Sequence, residues 1–164
     1  MLRELLSRDH ERLDALLNAL GGSTIDQQKY AEFRRGLLRH IGIEERILFP
    51  EMRSRGASTE VERQLHRDHA ALAALLVPPP SAVEIDQIRA ILDRHNPLEE
   101  ESGGFYDRFE RMAGADLPAV VSRVRDYPEV PTAPHADSPI LRRSIAQLLR
   151  EAEEGRKRLQ TTDR

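Results

Sequence analysis

The sequence predicts an all-α protein: an up-down-up-down four-helix bundle with an additional C-terminal helical extension. Apolar residues recur at helical spacing in four long segments, and no segment alternates with a period of two over a useful length. The connections between the segments are short, which makes neighbouring helices antiparallel. We therefore expect a four-helix bundle over residues 1–113, followed over residues 114–164 by a proline-containing linker and an amphipathic helix.

The first two segments form one predicted helical hairpin. A leucine stripe runs through residues 2–20, and a glycine pair at 21–22 ends this helix. The second helix starts near Asp26, after the Ser-Thr pair at 23–24, which is a capping candidate. Its apolar positions continue as far as Met52, so we expect one uninterrupted helix that ends just beyond that residue.

The third and fourth segments form a second predicted hairpin. The third helix covers about residues 58–77 and is stopped by three consecutive prolines at 78–80. Ser81 can cap the fourth helix, since a serine hydroxyl accepts a hydrogen bond from the first free backbone amides of a helix. The apolar face of this fourth helix continues to about Met112.

The chain changes character after Gly114. Residues 116–125 can form a short helix with Pro118 tolerated in its first turn, and three further prolines then space out an extended linker. Ser138 followed by Pro139 is a strong helix start. The last helix carries one apolar face, so it should dock either on the bundle or on a second subunit, as the contact of a homodimer.

Composition limits the chemistry that this chain can perform. With 164 residues, 39% of them hydrophobic, the chain is long enough for one globular domain with a real core. The absence of cysteine excludes disulfides, thiolate zinc sites, Fe–S clusters and cysteine nucleophiles, so any metal must be held by nitrogen and oxygen. A net charge of −3 gives no electrostatic argument for nucleic acid or an anionic membrane. No apolar stretch approaches a membrane span, and we expect a cytoplasmic protein.

The most informative feature of the sequence is an internal repeat. The ten residues from Arg8 to Leu17 recur 59 positions later, from Arg67 to Leu76, with seven identities that include the histidine in the third place. Each histidine is followed, after 30 and 26 residues, by a second histidine with a glutamate four positions further on. The two copies thus carry one set each: His10, His40 and Glu44 in the first, and His69, His95 and Glu99 in the second.

The heights of these residues favour a shared metal site. At 1.5 Å per residue, the first histidine of each copy lies roughly 15 Å from its hairpin turn and the second roughly 20 Å, which is compatible with one level. Each glutamate lies one helical turn beyond its histidine on the same face. Four imidazoles and two carboxylates can therefore converge on one plane, a set that suits a pair of first-row metal ions and leaves positions open for water, hydroxide or oxygen.

Other polar residues near these motifs have simpler interpretations. A single His-x3-Glu pattern is usually a solvated helix face, and only the repetition raises its weight. His66 lies three residues before His69 and is either a fifth imidazole ligand or a residue at the rim of the site. We expect Glu45 and Glu100, which point about 100° away from the neighbouring glutamates, to form salt bridges or support the ligands. His135 in the linker is expected to be exposed and without a role.

The motifs resemble those of a known family. The run His-Ile-Gly-Ile-Glu-Glu-Arg-Ile-Leu-Phe-Pro at residues 40–50 is similar to the His-x3-Glu-Glu-x2-Leu-Phe-Pro signature of the hemerythrin-like, or HHE cation-binding, family. Residues 95–100 resemble its second copy, and the Asp-His pairs at 9–10 and 68–69 match its single-histidine helices. The resemblance implies a four-helix bundle with a non-haem di-iron centre, bridged by carboxylates and an oxo or hydroxo group; zinc or manganese are other occupants. It gives ligand roles to His10, His40, Glu44, His69, His95 and Glu99.

The sequence also departs from the oxygen-carrying members of that family. Those carriers have five histidines and an aspartate in a His-x4-Asp motif, whereas here the fifth place is Glu100. The additional carboxylate favours ferric iron, turnover or storage over reversible oxygen binding. Pro97 disfavours helical geometry at Asn96, so we expect a kink or a widened turn there, and the glycine pair at 103–104 should loosen the helix further.

Three classes of function are compatible with these motifs. The first is a di-iron protein that senses or consumes oxygen, peroxide or nitric oxide, which we favour. The second is an iron reservoir or donor, for which coordination is the whole function. The third is a structural or interaction protein whose metal only stabilises the fold. Whether the protein is an enzyme stays open at this point, and the expected partner is a small diatomic ligand or peroxide.

Overall fold

The computed structural model describes residues 1–162, and in that range every regular element is helical and no β-strand occurs. The all-α class predicted from the periodicity is therefore confirmed. None of the helices in this range is long and apolar enough to cross a membrane. The helices have the following bounds: α1 Leu2–Asn18, α2 Gln27–Ile43, α3 Phe49–Ser54, α4 Glu60–Leu75, α5 Ala82–Glu100, α6 Phe105–Ala113, α7 Leu117–Arg125 and α8 Pro139–Thr162.

The chain divides into two units by its backbone contacts. The first unit consists of Met1–Ser58 with Asn96–Thr132, and the second of Thr59–His95 with Ala133–Arg164. Each unit is thus made of two stretches that are distant in the sequence. The position between residues 113 and 114, where we expect the bundle to end, falls inside the first unit, since only one 3₁₀ turn separates α6 from α7.

In the first unit, α1 packs against α2 and α6. The carboxylate of Glu110 on α6 accepts hydrogen bonds from the backbone amides of Leu2 at 2.5 Å and Arg3 at 3.1 Å. These amides have no partner within α1 because they belong to its first turn, so a negative charge stabilises the helix end there. Phe49 and Phe105 meet edge to face in the core, with ring centroids 5.3 Å apart.

The connection between α1 and α2 is fixed by backbone geometry. Gly21 has a φ of +94°, and a Cβ atom there would lie 2.7 Å from the Thr24 carbonyl oxygen, so only glycine fits. The cap of α2 is Asp26, whose carboxylate accepts from the amides of Gln28 and Lys29 at 3.1 and 3.0 Å. The Ser-Thr pair at 23–24 therefore belongs to the turn and does not cap the helix.

The helix that follows Asp26 is not regular along its whole length. Between α2 and α3 the backbone forms a π-helical stretch, Glu44–Leu48, in which the Phe49 amide donates to the Glu44 carbonyl, five residues back. Pro50 has no amide to donate, which favours a local departure from α-helical bonding. The prediction of one continuous helix up to Met52 is thus correct in extent, but it missed the widened turn.

The predicted fourth helix is divided in two, and the expectation of one helix up to Met112 is wrong. α5 runs through Pro97 and ends at Glu100, and α6 begins at Phe105. Gly103 has a φ of +80°, and a Cβ atom on Gly104 would lie 2.8 Å from the carbonyl oxygens of Glu99 and Glu101. The glycine pair therefore does more than loosen the helix: it allows the chain to turn and start a new one.

In the second unit, α8 packs along α4. A Cβ atom on Gly155 would lie 2.3 Å from the Gln64 side-chain oxygen, which shows how closely the two helices approach. We expect the last helix to dock either on the bundle or on a second subunit. In the structure it packs on α4 of the same chain. Ser138 caps α8 by accepting from the Leu141 amide at 3.1 Å, as predicted. The apolar core of this unit includes Leu65, Leu72, Leu75, Leu76, Ile88, Ile91, Ile145 and Ala152.

Candidate metal centre

Three of the predicted ligands meet in the interior of the first unit. His10 lies on α1, His40 on α2 and Glu99 near the end of α5. The Nε2 atoms of the two histidines are 2.8 Å apart, and Glu99 Oε2 lies 3.4 Å from His10 Nε2. Ligand atoms of all three residues lie within 4.8 Å of one another, and all three side chains are buried. This spacing is compatible with a single cation taking all three as ligands.

Glu44 adds a second carboxylate to the same cluster. It is the first residue of the π-helical stretch, it is completely buried, and its Oε1 atom lies 3.6 Å from His40 Nε2. π-helical turns inside longer helices are frequent at functional sites because they change the direction of one side chain without ending the helix. Four predicted ligands of the first unit are thus close together: His10, His40, Glu44 and Glu99.

Carboxylates outside the cluster accept hydrogen bonds from the Nδ1 atoms of the two histidines. Nδ1–H of His40 donates to Asp9 Oδ2 at 2.9 Å, and Nδ1–H of His10 donates to Glu100. Because Nδ1 is occupied in this way, the Nε2 atom of each ring faces the cluster and is available as a ligand. This arrangement agrees with the supporting role predicted for Glu100. Asp9 was missed as a functional residue, although the repeated Asp-His pair marks it in the sequence.

The electrostatics of the cluster favour a positive charge at His40. Burial alone would lower the pKa of His40, but the charge of Glu44 and the hydrogen bonds that His40 donates to Asp9 and Glu44 outweigh it and raise the pKa to about 10. Burial alone would raise the pKa of Asp9, yet the hydrogen bond and charge of His40, together with Arg12, lower it to about 2. Without a metal, the cluster therefore holds an imidazolium at the position where a cation would be stabilised.

A tyrosine that the sequence interpretation missed lies at the centre of the cluster. The hydroxyl of Tyr106 on α6 donates to Glu44 Oε1 at 2.6 Å and lies 3.2 Å from Glu99 Oε2. It is also 3.4 Å from the Nε2 atoms of His10 and His40. Burial, with the charges of the two glutamates, raises the pKa of this phenol well above its usual value, so it stays a donor. Its buried position after the glycine break has no counterpart in the repeat, which explains why it was missed.

The second unit contains the corresponding pair from the second copy. The rings of His69 and His95 are buried, and their centroids lie 4.9 Å apart. Nδ1–H of His95 donates to Asp68 Oδ2 at 3.2 Å, which reproduces the bond between His40 and Asp9. Burial alone would raise the pKa of Asp68, but His95 and then Arg156 outweigh it and lower the pKa. Both copies of the repeat thus contain the same contact: the aspartate that precedes the first histidine orients the second histidine.

The remaining candidate residues lie elsewhere. His66 is exposed on α4 and is not among the buried histidines of the second unit, so the structure gives no support to a fifth imidazole ligand. Three residues turn an α-helix by about 300°, so His66 points about 60° away from His69, and it lies on the exposed side of α4. Glu45 is half-buried, and His135 is exposed, with its Nδ1 atom 3.2 Å from the Val77 carbonyl. The convergence of all six predicted ligands on one plane stays a prediction from the repeat.

The donor set of the first unit fits a first-row metal ion. Two imidazole nitrogens and two carboxylates, all buried, match the ligands that iron, zinc and manganese accept in proteins. Burying so many polar groups would be costly without a compensating charge at their centre. A cation there would neutralise the two carboxylates and take the place of the Nε2 proton of His40.

Comparison with known proteins gives one match. Residues 1–103 match the family model described as the hemerythrin HHE cation binding domain. The matched part is more than half of the chain and contains every predicted ligand. Tyr106 and the whole of α8 lie outside it. Comparisons with curated proteins and with solved structures found no match.

Proposed function

Since the chain belongs to the family of hemerythrin HHE cation-binding domains, we propose that it holds two iron ions and uses them to sense or react with oxygen, peroxide or nitric oxide. The observation that carries this proposal is the buried cluster of two histidines and two glutamates in the first unit. Ferrous iron with open coordination positions supplies reactivity toward all three small molecules. The up-down-up-down arrangement of α1, α2, α4 and α5 is part of the proposal and rests on their short connections.

The ligands divide naturally between the two ions. His10 and His40 provide the nitrogens for one ion, and the repeat assigns His69 and His95 to the other. By resemblance to the family, the carboxylates of Glu44 and Glu99 would hold both ions. The residues outside the ligand set hold each ring in place, since a carboxylate on Nδ1 both fixes the orientation of the imidazole and makes Nε2 more basic.

Two features favour a sensing or reacting centre over reversible oxygen carriage. Glu100 occupies the position after Glu99 and places a third carboxylate beside the cluster, at His10. Tyr106 brings a protonated hydroxyl to the same place, 3.4 Å from both Nε2 atoms. Negative charge near the ions favours the ferric state, and a phenol beside the glutamates can donate a hydrogen bond to oxygen atoms that carry developing negative charge.

The experiment that tests this function is elemental analysis combined with optical spectroscopy of the freshly purified protein. We expect about two iron ions per chain, as the family's di-iron centre implies, and near-ultraviolet absorption from an oxo-bridged ferric pair. The ferrous protein, prepared without oxygen, should change its spectrum when oxygen, peroxide or nitric oxide is added. A protein that binds no transition metal in any preparation would overturn the proposal.

The same samples separate the alternative functions. Peroxide turnover supports an enzyme, and a reversible oxy spectrum supports sensing or carriage. Release of iron to a chelator, without reaction toward the three small molecules, supports an iron reservoir or donor. If removal of the metal changes only the melting temperature, the metal has a structural role and the bundle is an interaction protein.

A further inference from the structure

The two copies of the repeat differ in how their aspartates are held. In the first copy, Arg12 lies three residues after Asp9 on the same helix and donates to Asp9 Oδ1 from Nε at 3.0 Å and from Nη2 at 2.8 Å. With the offset of 59 residues, the position equivalent to Arg12 in the second copy is Ala71. Asp68 therefore has no arginine on its own helix at the corresponding place.

An arginine from the C-terminal helix fills this role instead. Arg156 on α8 places Nη2 at 2.9 Å from both carboxylate oxygens of Asp68. Asp68 is completely buried, and only 9% of the Arg156 side chain is exposed. Gln64 completes the contact, because its amide donates at 2.9 Å both to Asp68 Oδ1 and to the Ala152 carbonyl on α8. The close approach at Gly155 allows these bonds to form.

We propose that Arg156 is a positioning residue for His95: it fixes the Asp68 carboxylate, which accepts Nδ1–H of His95 and leaves Nε2 of that ring available to a metal ion. The inference rests on the proposed function only in taking His95 as a ligand. Through this contact the C-terminal helix, which lies outside the matched residues 1–103, controls the metal affinity of the second copy.

The burial of this ion pair explains why its removal should matter. Asp9 and Arg12 are partly exposed, at 20% and 46%, so water can replace the guanidinium of Arg12. Water cannot reach Asp68 in the same way, because it is fully buried. Without Arg156, the buried carboxylate would lose the donor that holds both of its oxygens and would turn toward another donor, so His95 would lose its fixed acceptor. Loss of such a supporting partner typically lowers metal affinity by about 10-fold to 100-fold.

The test uses the full chain loaded with zinc, which is diamagnetic and binds the same donor types. Long-range ¹H–¹⁵N spectra of the histidine rings report which nitrogen of His95 carries the proton, and competition with a chelator reports zinc affinity. In Arg156→Met we expect about a 10-fold to 100-fold weaker affinity for one of the zinc ions and, in the metal-free protein, exchange of the His95 proton between Nδ1 and Nε2. The control, Arg150→Met, removes an exposed arginine of the same helix and should change neither readout.

Two further variants separate positioning from general loosening of α8. Ile145→Ala weakens the packing of α8 at a buried apolar residue that lies roughly 16 Å along the helix from Arg156, at 1.5 Å per residue. At matched stability it should keep the Nδ1–H state of His95; an equal loss of affinity and the same proton exchange would overturn the proposal. Arg156→Lys keeps the charge but has a single donor nitrogen on a shorter side chain and loses the Nη1 contact to the Arg94 carbonyl at 3.4 Å, so we expect a loss smaller than that of the methionine variant. Should the methionine variant fail to fold, the lysine variant is compared with Ile145→Ala: the lysine variant should disturb the Nδ1–H state of His95 in the metal-free protein, and Ile145→Ala should not.

The outcome is distinguishable from a failure of the proposed function. In the metal-free protein, the wild type should already show His95 protonated at Nδ1, and Arg156→Met or Arg156→Lys should disturb that state. If the wild type bound no metal but showed this behaviour, the proposed function would fail while the control of His95 by Arg156 would stand. If the His95 ring were the same in the wild type and all variants, the positioning role would be disproved whatever metal is bound.

Discussion

The hydroxyl of Tyr106 and the carboxylate of Glu44 are joined by a hydrogen bond of 2.6 Å inside the first unit. The two residues come from elements that share no repeat relationship, α6 and the π-helical stretch. In the metal-free protein this bond satisfies a buried carboxylate that a cation would otherwise neutralise. The phenol and the metal therefore stabilise the same two glutamates.

Replacing Tyr106 with phenylalanine should destabilise the metal-free protein more than the metal-loaded one. The lost bond to a buried charged group corresponds to about 1.5–3 kcal/mol of unfolding free energy without metal, whereas a bound cation takes over much of that stabilisation. The measurement is urea unfolding with and without zinc. Tyr127→Phe, outside the cluster, is the control, and an equal loss in both states would argue against a shared role.

Glu44→Ala and Glu99→Ala should each reduce the metal content from about two ions per chain toward one, because each removes a carboxylate predicted to bridge the pair. Glu45→Ala is the matched control, since Glu45 directly follows a predicted ligand but is only half-buried. Metal content is measured by elemental analysis after removal of free ions. Equal losses from all three variants would mean that the side-chain directions assigned to Glu44 and Glu45 are wrong.

Asp9→Asn should weaken metal binding at the histidines of the first copy. The amide can still accept the bond from His40 Nδ1–H, but it no longer carries the charge that makes the imidazole more basic. We expect about a 10-fold lower affinity, at the lower end of the effect of lost supporting residues. Zinc competition measures this change, with Glu11→Gln, an exposed residue of the same helix, as the control. An unchanged affinity would show that Asp9 has no influence on the ligand.

Metal affinity should increase with pH over the neutral range. Because the pKa of His40 in the metal-free protein is raised to about 10, its Nε2 atom is protonated at neutral pH, and a metal ion has to displace that proton. The displacement becomes easier as pH rises toward that pKa, so one such proton corresponds to at most about a tenfold gain in apparent affinity per pH unit. Chelator competition at several pH values measures the slope, and a flat profile would contradict the prediction.

Gly104→Ala should disturb both the fold and the cluster. The added Cβ atom would lie 2.8 Å from the carbonyl oxygens of Glu99 and Glu101, so the turn before α6 has to move. We expect a loss of about 1–3 kcal/mol of unfolding free energy. We also expect metal binding to change the tyrosine fluorescence less than in the wild type, because Tyr106 would be displaced from the cluster. Gly22→Ala is the control, because its Cβ atom would meet nothing within 4 Å. Equal stability of the two variants would contradict the close approach.

The repeat allowed much of the candidate site to be predicted, because it relates His10 to His69 and His40 to His95 without any knowledge of the fold. Helical periodicity gave the helices, and glycine and proline gave most of their ends. The contacts that were missed are long-range and not repeated. Arg156 is 88 residues from Asp68, and Tyr106 enters the cluster only because the chain turns at Gly104. Periodicity contains no signal for such contacts.

The π-helical stretch at Glu44–Leu48 has a consequence for insertions and deletions in this chain. A π-helical turn accommodates one residue more than an α-helical turn, and each residue of an α-helix advances the side-chain direction by about 100°. Because the extra residue is held within this one turn, deleting one residue here would give a regular helix in which Phe49 and Met52 still face the interior, whereas the side chains inside the turn, Glu44 among them, would change direction. The extra residue thus sets the direction of the ligand without altering the angular phase of the core-packing half that follows.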